Sequence, residues 1–333
     1  MAAGDGVNRH ARQMILPEIG ADGQARIAAA HVLVIGAGAL GVPVLQYLVG
    51  AGVGCITLLD PDLVEQTNLH RQPIYGPFIG QPKALAAASV AHALDPQVRL
   101  NPQVAWLTPQ NAPRLVGDAD LVLDCADSFA VSYTLSDTCL ALGKPLISAS
   151  VLGLSGYVGG FCGGAPSLRA VFPDLPDSIA TCATAGVLGP VAGMLGLLQA
   201  QMALAVLLDL APSPLGQLVR WEMVGFRSAS FRFDGAPEPE GAYAFVARAN
   251  LGPDDFIVDL RDADEAPQTV PHAIRLPVEA VGPDGPRPEA GQRAVFACRS
   301  GLRAWRAADR LRSFWPGEIA LLADIPEIEG DMP

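Results

Sequence analysis

The run His31-Val-Leu-Val-Ile35, followed at once by Gly36-Ala-Gly-Ala-Leu-Gly41 and then by a helical pattern through Gly50, constrains this chain more than any other feature in it. A short apolar segment, a glycine turn and an apolar helix in immediate succession make the opening of a strand-helix-strand crossover. The pattern recurs. Cys55 to Leu59 predicts a strand ending at Asp60, Leu121 to Leu123 another ending at Asp124, and Lys144-Pro145 introduces a third over Leu146 to Ser148. Such alternation predicts an α/β fold on a mostly parallel, doubly wound sheet. Ligands in these sheets bind beyond the carboxyl ends of the strands, which here carry Gly36, Asp60 and Asp124.

At 333 residues the chain is long for one core and comfortable for two. Asp234-Gly-Ala-Pro-Glu-Pro-Glu-Gly241 has the composition of a linker. It divides a unit of residues 1–233 from one of residues 243–333, with 234–242 between them. Beyond it, Phe256 to Leu260 and Ala294 to Ala297 predict two buried strands around a Pro- and Gly-rich loop at 282–291, with Leu302 to Leu311 helical. A second, smaller α/β unit is expected.

A net charge of −12 leaves too few clustered cations for a phosphate-backbone surface, so nucleic acid is not an expected partner. Cys55, Cys125, Cys139, Cys162, Cys182 and Cys298 are scattered without a CxxC pair, which fits neither a disulfide framework nor a zinc site. With no apolar leader near Asp5, Arg9 and Arg12, a cytoplasmic location is expected. The uncharged run Val187 to Leu208 is long enough to span a bilayer, but glycines, Pro190, Gln199 and Gln201 interrupt it. It is read as a buried helix pair, with no membrane partner.

The glycine turn and Asp60 have the spacing of a dinucleotide fingerprint, a logic that serves NAD, FAD and ATP equally. The residues up to Lys83 narrow the choice. Thr67-Asn68-Leu69-His70-Arg71-Gln72 leads to Gly80-Gln81-Pro82-Lys83, which opens an alanine-rich helix. Pro82 suits a first helical turn and puts Lys83 at the positive end of a helix dipole, a conflict that a nearby anion removes. Arg71 adds a second cation, and Asp127 a carboxylate suited to Mg²⁺ beside phosphates. Alone, Lys83 also reads as a solvated lysine and Asp127 as a helix cap. Together they describe a triphosphate site.

Residues 9 to about 233 resemble the ThiF/MoeB/HesA adenylyltransferases, relatives of ubiquitin-activating enzymes. The resemblance rests on Arg12-Gln13, Leu16 to Gly20, Gly36 to Gly41, Asp60, Asn68 to Gln72, Gly80 to Lys83, Asp124 to Asp127, Thr181-Cys182 and Gly186 to Pro190. It implies a Rossmann-like core that binds ATP along Gly36, Gly38, Ala39, Gly41 and Gln72. Asp60 would hold the ribose, Asn68, Arg71 and Lys83 the phosphates, and Asp127 the Mg²⁺. It also implies that Arg12 reaches into the partner subunit of a homodimer, although Arg12 reads equally as a mobile basic arm. Ala39 stands where the family usually has glycine, and Ser128, Ser132 and Ser136 where it has Asn, Arg and Asn; these losses are expected on the nucleotide and carrier side. Ser167 and Ala170 take the places of the first zinc cysteine pair, so no structural zinc is expected.

Val295-Phe-Ala-Cys298-Arg299-Ser300-Gly301-Leu302-Arg303 predicts a strand, a tight loop and a helix, with the cysteine facing successive backbone N–H groups that favour a thiolate. The segment resembles the active loop of rhodaneses, with Asp259-Leu-Arg261 and His272 to Pro277 as its upstream part; a purely structural module is the other reading. Cys182 is a second thiol candidate, or a plain core residue. The resemblances together imply ATP-dependent adenylylation of the C-terminal Gly-Gly of a ubiquitin-like, ThiS/MoaD-like sulfur carrier. Sulfur would then come from a persulfide on Cys298, charged by a cysteine desulfurase or thiosulfate. Adenylylation of a non-carrier substrate, and a catalytically dead carrier-binding scaffold, are the alternatives.

Overall fold

The computed structural model describes residues 8–175, 186–267 and 270–324. Among these residues the chain builds two sheets. The first contains β1 (His31–Ile35), β2 (Cys55–Leu59), β3 (Arg99–Gln103), β4 (Leu121–Asp124), β5 (Pro145–Leu152), β6 (Ser155–Cys162), β7 (Gln217–Glu222) and β8 (Arg227–Arg232), in the order β3-β2-β1-β4-β5-β6-β7-β8. The strands from β3 to β5 are parallel. Those from β5 to β8 form an antiparallel extension. Because β2 and β3 lie on one side of β1 while β4 and β5 lie on the other, the strand order reverses beside β1, and the glycine turn emerges there.

Parallel strands buried on both faces need helices on both, and their apolar residues divide accordingly. The inward residues Val32, Val34, Ile56 and Leu58 pack with α3 (Gly41–Ala51), α4 (Lys83–Leu94) and α8 (Gly189–Leu207). Leu33, Ile35, Leu59 and Val122 pack on the other face with α5 (Ala112–Gly117) and α6 (Phe129–Leu142). Before the sheet stand α1 (Ala11–Met14) and α2 (Gly20–Ala29), and after β6 comes the short α7 (Leu168–Val171). The expected helix pair over Val187 to Leu208 is corrected to the single helix α8. Pro190 sits in its first turn, where a missing N–H costs nothing, and no break follows. α8 is long and apolar enough to cross a membrane, yet Val191, Ala192, Leu195, Gln199 and Ala203 are buried in the core.

The second sheet is wholly parallel, in the order β11-β10-β12-β13-β9. Its strands are β9 (Ala244–Phe245), β10 (Phe256–Asp259), β11 (Ile274–Arg275), β12 (Ala294–Cys298) and β13 (Ile319–Ala323), with α9 (Leu302–Arg312) packed on β12 and β13. The predicted β10, β12 and α9 are all present. The two-residue β9 and β11 are too short to carry a pattern, and β13 lies in a stretch given no element from the sequence.

The segment read as a linker is pinned at its start and at its middle. Arg232 pairs with Asp234 at 2.6 Å, and the Glu238 carboxylate accepts hydrogen bonds from Ser167 N (2.7 Å) and Ser167 Oγ (2.5 Å). Two residues on, the buried Arg169 guanidinium makes paired bonds to Asp137 of α6 (2.6 and 2.9 Å) and one to the Tyr243 carbonyl (2.9 Å). It lies over the rings of Tyr133 and Trp305, the latter on α9. Arg169 thus joins the first unit to the second, and Tyr133, Phe161, Phe296 and Trp305 belong to one continuous apolar cluster across the joint. Replacing Glu238 by alanine is expected to cost on the order of 1–2 kcal/mol, because the Ser167 N–H is then left buried without an acceptor. Thermal melting should fall by a few degrees; an unchanged midpoint would show the tether to be idle.

Candidate active site

The glycine turn between β1 and α3 has two glycines that the chain itself requires. Gly36 has φ +97°, and a Cβ there would lie 2.7 Å from the Cys125 carbonyl oxygen, while a Cβ on Gly41 would run into the Gly36 carbonyl. Gly38 is different. A Cβ on it would meet only the Gln72 Nε2, at 3.6 Å, so no internal packing demands glycine there. Ala39 is partly exposed in the same turn. Beside it, Gln72 is 3% exposed and its Oε1 is a buried acceptor without a partner. Free space over a turn, lined by an unsatisfied acceptor, fits a bound molecule with a donor of its own.

Asp60 is 4% exposed and its carboxylate is already engaged by the backbone: Oδ2 accepts from Ala37 N at 2.7 Å and Oδ1 from Asp62 N at 2.8 Å. Tyr75 Oη donates to the Ala37 carbonyl at 2.9 Å. Asp60 therefore locks the glycine turn to the loop after β2, and burial raises its pKa to about 6 against the opposing pull of Lys83. The structure gives it this positioning duty at the place where the spacing put a ribose contact.

Lys83 is the first residue of α4, with Pro82 as the cap before it rather than inside the first turn. It is 5% exposed, not solvated, and its Nζ lies 2.7 Å from the exposed Asp62 carboxylate. The anion that relieves the dipole conflict is thus supplied within the chain. Arg71 donates to Asn68 Oδ1 (2.5 Å) and contacts His70 Nε2 (2.9 Å), which brings Asn68 and Arg71 together as expected. Backbone bonds from Val64 N to the Gln81 carbonyl and from Lys83 N to the Asp62 carbonyl, both 2.8 Å, fold residues 62 to 83 into a clasp beside the turn.

Asp127 is exposed just before α6, past the carboxyl end of β4. Behind it Asp124 is fully buried, accepting from Ser148 Oγ (2.8 Å) and Ala126 N (3.2 Å), and Ser132 also bonds to it. Burial raises its pKa to about 6, from an ordinary 3.8. The folded state thus holds this proton more tightly than the unfolded chain, so the stability it contributes is full below about pH 4 and lost as pH rises through about 6. Asparagine can keep both partners, accepting from Ala126 and donating to Ser148. Asp124→Asn should therefore melt a few degrees above the parent at about pH 7.5, with the gap closing near pH 5. A gap independent of pH would refute the assignment.

Of the three serines expected on the nucleotide and carrier side, one is displaced. Ser136 is fully buried, accepting from Leu168 N at 3.0 Å, and so holds α7 to α6 instead. Ser132 supports Asp124, and Ser128 is the residue before α6. Arg12 is not brought to the cluster. It is exposed on α1, whose neighbour Gln13 bonds to the Ala51 carbonyl at 2.9 Å and whose preceding Arg9 pairs with Asp95 at 3.0 Å. Those groups mark the amino ends of β2 and β3, the opposite end of the sheet from Gly36 and Asp60.

Cys182 lies outside the described residues. Cys298 ends β12 but is 0% exposed, which corrects the expectation of a thiol open to a ring of amides; one N–H, from Ala304, meets its sulfur at 3.4 Å. Gly301 in the following loop, at φ +85°, has Phe245 packed on it, and a Cβ there would lie 2.6 Å from that ring. Arg303 is held by Glu265 (2.5 and 2.6 Å) and the Leu260 carbonyl (3.1 Å). Burial pushes the thiols of Cys125, Cys139 and Cys162 upward, that of Cys162 to about 12, which leaves these three as packing residues. The pairing of Lys83 with Asp62, the locking role of Asp60 and the Arg169 joint had no signal in the sequence, because each depends on residues brought together only by the fold.

A model of the ThiF family matches residues 10–240. The bovine (Bos taurus) protein named adenylyltransferase and sulfurtransferase MOCS3 is 44% identical over 220 residues, covering 65% of this chain and 48% of its own. The UBA4 protein of the same description from Yarrowia lipolytica is 43% identical over 202 residues, covering 60% and 51%. The chain therefore spans about half the length of the curated relatives it matches. Among solved structures, E. coli MccB with ATP superimposes with a TM-score of 0.61 at 19% identity, over 71% of this chain and 74% of that one. MccB with MccA-N7isoASN gives 0.62 at 18% identity, over 71% and 75%. These two likenesses bear on the fold.

Proposed function

Since the chain belongs to the ThiF family, we propose that it adenylylates the C-terminal glycine of a ubiquitin-like sulfur carrier and then converts it to a thiocarboxylate. The observation that carries the reading is the space over Gly38 at the switch point, lined by the unpartnered Gln72 oxygen and flanked by the clasp that bears Arg71 and Lys83. Relatives named as both adenylyltransferase and sulfurtransferase supply the reaction class.

ATP would lie along the turn, with Gln72 Oε1 accepting from it and Arg71 and Lys83 facing its phosphates. Lys83 carries three donors and can keep Asp62 while meeting an anion. Asp127, exposed at the end of β4, is placed to hold Mg²⁺, which would neutralise charge between phosphates. The carrier's carboxylate attacks the α-phosphorus, pyrophosphate leaves, and Arg71 and Lys83 stabilise the charge that develops on the oxygens in flight. Asp60 and Tyr75 keep the turn from shifting during this step. The residues of the second unit that resemble rhodanese, with Cys298 at the end of a parallel strand before a helix, support sulfur transfer from that cysteine. The terminal sulfur of its persulfide attacks the acyl carbon, and AMP leaves with the electron pair of the broken C–O bond. A low-molecular-weight thiol then cleaves the acyl disulfide, releasing the thiocarboxylate and becoming a mixed disulfide with Cys298. In the proposed assembly two chains pair, so that Arg12 of one serves the site of the other.

The test is direct. The protein, ATP, Mg²⁺, thiosulfate, a thiol and carriers ending in Gly-Gly are combined, and intact masses of the carriers are recorded. An oxygen-to-sulfur exchange on a carrier is the expected result. Adenylate formation on none of them, with AMP appearing only on another added substrate, would overturn the reading.

A further inference from the structure

The carboxyl ends of parallel strands in both sheets open on one cleft. From the first unit its walls are the loop after β3, with Thr108 and Gln110, and the first turns of α6, with Ala130 and Thr134. From the second they are Phe245 and the Arg248–Asp324–Arg261 cluster. The cavity measures about 600 Å³, within the range of sites that hold small molecules or short peptide segments. Asp127 and Cys298 are not on its walls, but each lies a short stretch of chain from a residue at the wall. Asp127 stands three residues before Ala130, a span of at most about 11 Å of chain. Cys298 stands three residues before Gly301, where a Cβ would lie 3.5 Å from the Ala130 side chain. Asp324, on the wall, donates its N–H to the Cys298 carbonyl at 2.8 Å. The Arg169 joint and the shared apolar cluster fix the two units in this arrangement.

Resting on the proposed adenylylation and sulfur transfer, we propose that this cleft is the sulfur-transfer chamber: it holds the carrier's C-terminal tail so that an acyl group activated beside Asp127 meets Cys298 of the same chain. An unbranched tail needs width and partners for its peptide groups rather than deep side-chain pockets, and Thr108, Gln110 and Thr134 offer such partners. The charges of the two arginines are offset by Asp259 and Asp324, so the chamber does not demand an anion. Phe245, packed on Gly301, is the group that must swing aside for the persulfide to reach the tail. In the chamber the C–S bond forms, the C–O bond breaks with its electron pair leaving on AMP, and an external thiol is oxidised in the release.

The experiment uses full-length chains carrying Lys83→Ala or Cys298→Ser. Each variant is first assayed alone, Cys298→Ser for carrier-dependent pyrophosphate exchange and Lys83→Ala for persulfide formation from thiosulfate. Loss of neither partial reaction together with loss of thiocarboxylate in both is the starting point, and thiocarboxylate made by Cys298→Ser alone would overturn the function itself, and this proposal with it. The two variants are then co-expressed with different tags, and both the mixture and any doubly tagged species are assayed for thiocarboxylate. Transfer within one chain predicts a yield at least about tenfold below wild type in both preparations, since no chain has both centres. Recovery to a large fraction of wild type, in either the mixture or the mixed species, would place the donor and the acceptor on different chains and overturn the proposal.

Discussion

Replacing Lys83 by alanine is expected to lower carrier-dependent pyrophosphate exchange by ~10²- to 10³-fold, the usual cost of removing one charge that meets a developing anion in a preorganised site. The fold should survive. Lys83 is buried, but its partner Asp62 is exposed and stays solvated, while the buried Asp60 loses the pull of Lys83 and keeps its two backbone donors, Ala37 N and Asp62 N. The loss in stability should stay near about 1 kcal/mol, mostly from the missing aliphatic stem. Exchange kinetics beside a thermal melt separate the two effects. Exchange within twofold of the parent would remove Lys83 from the phosphate site and leave it as the structural partner of Asp62.

The second large effect belongs to Cys298. Cys298→Ser should abolish thiocarboxylate formation, because an oxygen in place of sulfur cannot carry a persulfide, while exchange stays at the parent level. The buried setting adds a rate signature. With Phe245 over Gly301 and the sulfur sealed, alkylation of Cys298 should be slow in the resting protein and faster in Phe245→Ala, by about tenfold or more, as the ring's removal opens the loop. Mass spectrometry of the modified peptide measures both. Persulfide found on Cys182 and never on Cys298 would assign the sulfur chemistry elsewhere.

Much of the fold was legible because it depends on local patterns. β1, the glycine turn and α3 succeed one another in sequence, so the turn could be placed without knowing what surrounds it; β2, β4, β10 and β12 came from short apolar runs and α9 from the spacing of Leu, Ala and Trp among its arginines. The failures fall where contacts between distant parts of the chain decide. Val187 to Leu208 contains glycines that look like a break between helices, but only tertiary packing decides whether a glycine in an apolar helix interrupts it or lets it approach a neighbour. The two-residue β9 and β11 exist because β10 and β13 offer them edges. At the site, the resemblance named Arg71 and Asn68 together, and the two touch one turn apart. It could not show that Asp60 would be occupied by Ala37 and Asp62, or that Lys83 would find its anion 21 residues upstream. The serine at 136 was misplaced for the same reason: it shares a helix face with Ser132 but lies one turn farther from Asp127, where it meets Leu168 N.

The joint between the units contains a hydroxyl, two carboxylates and a guanidinium, from Ser167, Glu238, Asp137 and Arg169. None of these atoms is oxidised by peroxide or stripped by a chelator. If the proposed sulfur transfer holds, these four side chains tie the units by groups that reactive sulfur does not attack. The joint's vulnerability lies instead with any change that separates α6 from α7.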